Sequence, residues 1–161
     1  MHYLRLFFLI LFLSSTASVW AMGQGPLIGK PALDVILPKS DGTSASVIGS
    51  RQGKKAILVF WATWCPHCYE ELGKINDASA SVQQKGIKII LVDVGESREA
   101  VEEYLIKRRI NLSCFIDGDN IFQEPYQLVG VPTMVFIDEK GIIRDVTHQF
   151  PSDYEDYFGG K

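Results

Sequence analysis

The sequence predicts an α/β layered domain built on a mixed β-sheet, and three observations carry that expectation. Apolar runs at 56–61, which is continuous, and at 87–93 and 133–138, which are mainly apolar, read as strands buried on both faces. Stretches with helical apolar spacing lie between the runs, at 66–85 and 99–108. After the third run, Asp138-Glu139-Lys140-Gly141 turns the chain so that 142–146 returns antiparallel beside strands that are otherwise parallel.

The elements follow in order. The first residues stand apart. Met1 to Arg5 carries a positive charge, Leu6 to Leu13 is wholly apolar, and small and polar residues lead to Val19-Trp20-Ala21. This is the pattern of a secretory signal peptide, residues 1–21, cut after Ala21. The other reading is a retained membrane anchor. A spanning helix wants about 20 apolar residues, and Ser14, Ser15, Thr16 and Ser18 interrupt the run early. The remaining 22–161 is expected to form one domain, exported to the periplasm or another extracytoplasmic space, where disulfides persist. A net charge of −3 gives no basic patch and argues against nucleic acid as a partner. No repeat or low-complexity tract is found.

Residues 33–37 read as a strand and Lys39-Ser40-Asp41-Gly42 as a turn, with 43–48 returning as a strand or a short irregular piece. The 66–85 helix places Cys68, Leu72, Ile75 and Val82 near one face, and 99–108 does so with Val101, Tyr104 and Leu105. Residues 112–117 read as a strand and 120–128 as a shorter helix. Ser152 to Glu155 has the spacing of a capping box that starts a last short helix.

The chemistry is expected in Phe60-Trp61-Ala62-Thr63-Trp64-Cys65-Pro66-His67-Cys68, where a buried strand gives way to a helix. Pro66 suits a first helical turn. Cysteines three apart on a helix share a face, so their sulfurs come within bonding reach. Cys65 meets the unpaired N–H groups at the positive helix end, which stabilise a thiolate and bring a thiol down from about 8.5 to roughly 3.5–7.5. Cys65 is therefore the candidate nucleophile and Cys68 the resolving thiol. His67, if protonated, adds positive charge beside Cys65; its bland reading is a solvated helix residue. Glu71 lies on the edge of the apolar stripe near Cys68, where burial would raise its pKa and let it accept the Cys68 proton. Its bland reading is a surface glutamate, and Glu70 is expected in solvent.

Other uses of the pair stay open. A closed zinc site needs four ligands, and Cys114 and His148 are remote in sequence, so no metal site is assigned; copper(I), content with two thiolates, is the alternative. A thiol peroxidase is weaker still. Peroxidases of a related fold want Pro-x-x-x-Thr-x-x-Cys, and Leu58 and Ala62 stand where proline and threonine should be. Three cysteines are too few for a disulfide scaffold, and Cys114 reads as a small buried hydrophobe, with a reactive thiol as the alternative.

The 60–68 segment resembles the active-site segment of thioredoxin-fold proteins, and Gly130-Val131-Pro132-Thr133 resembles their cis-proline loop. The extra strand and helix over 87–108, with an N-terminal hairpin at 33–48, is similar to the TlpA/ResA-like group of exported thiol-disulfide oxidoreductases. The similarity runs from about Leu27 to Val146. The resemblance implies a thioredoxin-like three-layer fold: a central mixed sheet with helices on both faces, an N-terminal β-hairpin and an inserted β-α unit. It implies Pro132 in cis against the cysteine pair, Val131 offering its backbone to an extended substrate, and Trp64 at the rim. It strengthens the functional reading of Glu71. It implies a monomeric enzyme without cofactor that exchanges disulfides with protein clients, apocytochrome c among them, and takes electrons from a membrane thiol transporter. Val59 departs from the pattern, standing where thioredoxins have a buried aspartate. Pro66-His67 and Val131 resemble an oxidase, although the chain between Cys68 and Pro132 is too short for that oxidase's inserted helical domain. The resemblance as a whole favours a reductant over an oxidant.

Overall fold

The computed structural model describes residues 27–159. The signal-peptide expectation for residues 1–21 lies outside them. Among the described residues no helix is long and apolar enough to cross a membrane.

The sheet has five strands, ordered β5-β4-β3-β6-β7. Its centre is β3, Lys55–Trp61, where every residue after Lys55 is buried. Strand β4, Ile87–Val94, lies parallel to it, and β5, Cys114–Asp117, parallel to β4. On the other side β6, Thr133–Ile137, and β7, Ile143–Thr147, run antiparallel. A two-stranded hairpin, β1 Ile36–Pro38 and β2 Ser44–Ser46, precedes them.

Helix α1, Pro66–Gln84, joins β3 to β4, and α2, Arg98–Arg108, joins β4 to β5. Both crossovers step the same way across the sheet, so the right-handed rule puts both helices on one face. There Cys68, Leu72, Ile75 and Val82 of α1 and Val101 and Leu105 of α2 pack on Ile57, Val59, Trp61 and Leu91. Among the described residues the opposite face is closed without an α-helix. Leu37, Val47, Ile48, Phe122 and Tyr126 cover Leu58, Phe60, Val92 and Val135. Three layers are present, and the hairpin and a folded loop make the second outer one.

That loop is the segment expected as a helix at 120–128, and it is a series of turns instead. Pro125 removes an N–H in the middle of the pattern. Asn120 and Gln127 adopt left-handed backbone, φ 55° and 50°, which breaks a helical run at both ends. Asp117 holds the segment from the sheet, accepting from Ile121 N–H at 2.8 Å and Phe122 N–H at 3.0 Å. The last short helix is likewise a 3-10 turn, Tyr154–Phe158, with no side-chain cap. The expected capping box does not close, because Glu155 pairs with Lys85 of the loop after α1.

Candidate active site

Strand β3 delivers the chain to Cys65, which is the N-cap of α1 with extended backbone, φ −88° and ψ 111°. Its sulfur accepts from the Cys68 N–H at 3.1 Å, in the manner of a capping oxygen. Cys65 and Cys68 form a disulfide with Cα atoms 5.2 Å apart. Cys68 is fully buried and Cys65 keeps 5% exposure, so Cys65 is the sulfur of the pair that meets solvent. Pro66 occupies the first helical position, and His67 is exposed on the same turn.

The loop before β6 meets the pair from the side. Its Val131–Pro132 peptide is cis, and the Val131 carbonyl oxygen lies 3.4 Å from Cys65 Sγ. The loop is fixed from below. Thr133 Oγ1 donates to the Gly130 carbonyl at 2.7 Å. His148 Nδ1 sits 3.0 Å from the Pro132 carbonyl. A carbonyl only accepts, so the imidazole donates there. Beside this loop opens a cavity of about 350 Å³, lined by Trp64, Gly95, Asn120, Gln123, Val129 and Val131. Trp64 and Val129 are 66% and 91% exposed at its rim.

Glu71 is buried, and both of its oxygens are engaged. Oε1 accepts from Lys74 Nζ at 2.7 Å, and Oε2 accepts from the Phe150 N–H at 2.6 Å. The carboxylate expected to wait for the Cys68 proton therefore ties α1 to the C-terminal segment. Glu70 is exposed. Cys114 is fully buried, with the Trp61 Nε1–H donating to its sulfur at 3.3 Å. Burial pushes its thiol far above the ordinary range.

Two further acids belong to the site. Glu96, after β4, grips the segment that leads into the cysteines: Oε2 accepts from the Thr63 N–H at 2.6 Å and Oε1 from the Thr63 hydroxyl at 2.5 Å. Behind it, Asp93 at the end of β4 is fully buried. Sequence reasoning placed Asp93 only as the end of a strand. The signal was there, since a carboxyl inside Ile90-Leu91-Val92-Asp93-Val94 is out of place in a buried run. Glu96 has no such signal; a long-range contact alone makes it part of the site. Among the described residues no three His, Cys, Asp or Glu side chains come together to hold a metal.

The sequence profile of the AhpC/TSA family matches residues 28–146. Among curated proteins, the thiol-disulfide oxidoreductase ResA of Geobacillus thermodenitrificans is 29% identical over 119 residues, covering 74% of this chain and 68% of the relative. Among solved structures, StoA of Bacillus subtilis superposes with TM-score 0.66 at 21% identity, covering 81% of this chain and 98% of that one. A thiol:disulfide interchange protein of the thioredoxin family from Chlorobium tepidum does so with TM-score 0.69 at 22% identity, over 81% and 94%. At these identities the structural likeness carries the fold.

Proposed function

From a chain that belongs to the AhpC/TSA family, as a thiol-disulfide oxidoreductase of its TlpA/ResA-like, thioredoxin-fold group, we propose a reductant of protein disulfides that works outside the cytoplasm. Cys65 attacks a client disulfide and forms a mixed disulfide. Cys68 then attacks Cys65, releasing the client as a dithiol and leaving the Cys65–Cys68 disulfide. A membrane thiol transporter returns the two electrons. Apocytochrome c is a fitting client, since haem attachment needs its cysteines reduced.

The observation that carries the reading is the pairing of a capped, slightly exposed Cys65 with a buried Cys68 one turn on. An N-cap sulfur facing backbone N–H groups is the better anion and so the better attacking group. The Val131 carbonyl beside it supports docking of an extended client backbone, and the cavity behind Trp64 suits a client side chain next to its cysteine. Pro132 shapes that edge, His67 stands exposed at the helix start, where its protonated form would add charge, and Glu71 holds the C-terminal segment against α1.

The test has two arms. Cys68→Ser should capture clients covalently through Cys65, and Cys65→Ser should capture none. Equilibration with glutathione should place the pair near the thioredoxin end, about −270 mV, whereas a value near about −120 mV would make the protein an oxidant and overturn the direction. Pro66-His67 is the feature that favours that second outcome.

A further inference from the structure

Asp93 is fully buried, and neither of its carboxyl oxygens has a hydrogen-bond partner. Strand register sets it between Trp61 of β3 and Ile116 of β5, on the face that carries both helices. The titratable groups around it are almost all acids. Glu96 comes from the turn after β4, and Cys114 and Asp117 come from β5. Helix α2 contributes Tyr104, its ring tilted against Trp61 at 5.3 Å between ring centroids. Of the cations of that helix, Arg98, Lys107 and Arg108, the last lies over the rings of Tyr69 and Tyr104, at 4.2 and 5.6 Å. Asp117 is satisfied by the Ile121 and Phe122 N–H groups; Asp93 has nothing equivalent.

An unpartnered carboxylate in such a place is costly, so the group keeps its proton. Burial first, and the Glu96 carboxylate second, push Asp93 up to about 8. Glu96 acts on it first as a carboxylate that can accept the Asp93 proton and then by its charge. The same Glu96 holds both polar groups of Thr63, two residues before Cys65. A continuous path of contacts and charge thus runs from Asp93 to the redox pair.

We propose that Asp93 is a positioning residue of the Cys65–Cys68 pair: a buried acid that, through Glu96 and its grip on Thr63, makes the cost of the Cys65 thiolate depend on pH. The balance is as follows. Two glutathione thiols become a disulfide and give up two electrons and two protons. The Cys65–Cys68 disulfide takes the electrons, with two protons if both sulfurs end as thiols and one if Cys65 stays a thiolate. While Asp93 holds its proton, the thiolate forms on a segment gripped by one acid, the half-buried Glu96. Once Asp93 is ionised it forms near two anions, and repulsion across a low-dielectric interior disfavours the reduced form. By reciprocity, reduction makes Asp93 harder to ionise.

The experiment compares the full protein with Asp93→Asn, by the equilibrium constant with glutathione at pH 6 and pH 9. Glutathione's own titration cancels in the ratio of the two. The ratio should be near one at pH 6, and at pH 9 the wild-type dithiol should be disfavoured by about threefold or more. An unchanged ratio in a folded variant overturns the proposal. If the variant does not fold, carbon-13 carboxyl titration of the wild type decides: the Asp93 midpoint should lie higher in the dithiol than in the disulfide form, and equal midpoints overturn it. The inference rests on thiol exchange at this pair but fails separately from the client reading, which would instead show as no partner captured by Cys68→Ser while the ratio still shifts with pH.

Discussion

Asp93 also makes a prediction about stability, and its sign follows from proton counting. The folded protein holds the proton to about pH 8, whereas an aspartate free in solution releases it near 3.8. Between those values the native state binds more protons than the unfolded state, so stability falls as pH rises. Below the window both states are protonated and nothing is lost; above it both are ionised and the loss is constant. Asp93→Asn should therefore gain on the wild type progressively from pH 4 to pH 8, by about 2 kcal/mol or more at the top. Urea midpoints across that range measure it, and a difference independent of pH contradicts the buried-acid assignment. Glu71 shows the other fate of a buried carboxylate: partnered by Lys74 and the Phe150 N–H, it has its desolvation offset where it stands.

At the scale of elements, the turns at 119–127 depend on one side chain. Asp117 satisfies two N–H groups there, and Phe122 and Tyr126 fill the sheet face that α1 and α2 leave open. Asp117→Ala should leave those donors unpaired and cost about 2 kcal/mol or more, read as a lower urea midpoint at unchanged slope. Because Asn120 and Gln123 line the cavity behind Trp64, the same variant should also weaken client capture by a Cys68→Ser background. Helix α2 is capped locally, by Ser97 Oγ accepting from the Ala100 N–H at 3.3 Å, and its boundaries were accordingly close to those expected from sequence.

For the whole molecule, redox state and folding are linked. A fold that favours the disulfide is more stable oxidised, and one that stabilises the dithiol is a strong oxidant. The proposed reductant should therefore unfold at higher urea concentration as the disulfide than as the dithiol. A more stable reduced form would reverse the proposed direction of electron flow. Cys114 should take no part in either state: buried beneath Trp61, its thiol should label with an alkylating reagent only after unfolding.

The sequence by itself determined the sheet strands, the two helices and the cysteine pair. The information there is local: an apolar run, a helical stripe, or a proline at the first turn fixes what a segment becomes. The Pro132 loop was legible as a motif, although its approach to Cys65 was not a matter of local pattern. Only the tertiary structure decided that 120–128 would be turns, since Pro125 and the Asp117 carboxylate settle that segment together from separate elements. Only it turned Glu71 toward Phe150, and only it set Glu96 on Thr63 with Asp93 behind. The physical reason is common to all three. A carboxyl's role is set by which donors it meets and how much water it loses, and both are properties of neighbours distant in the chain.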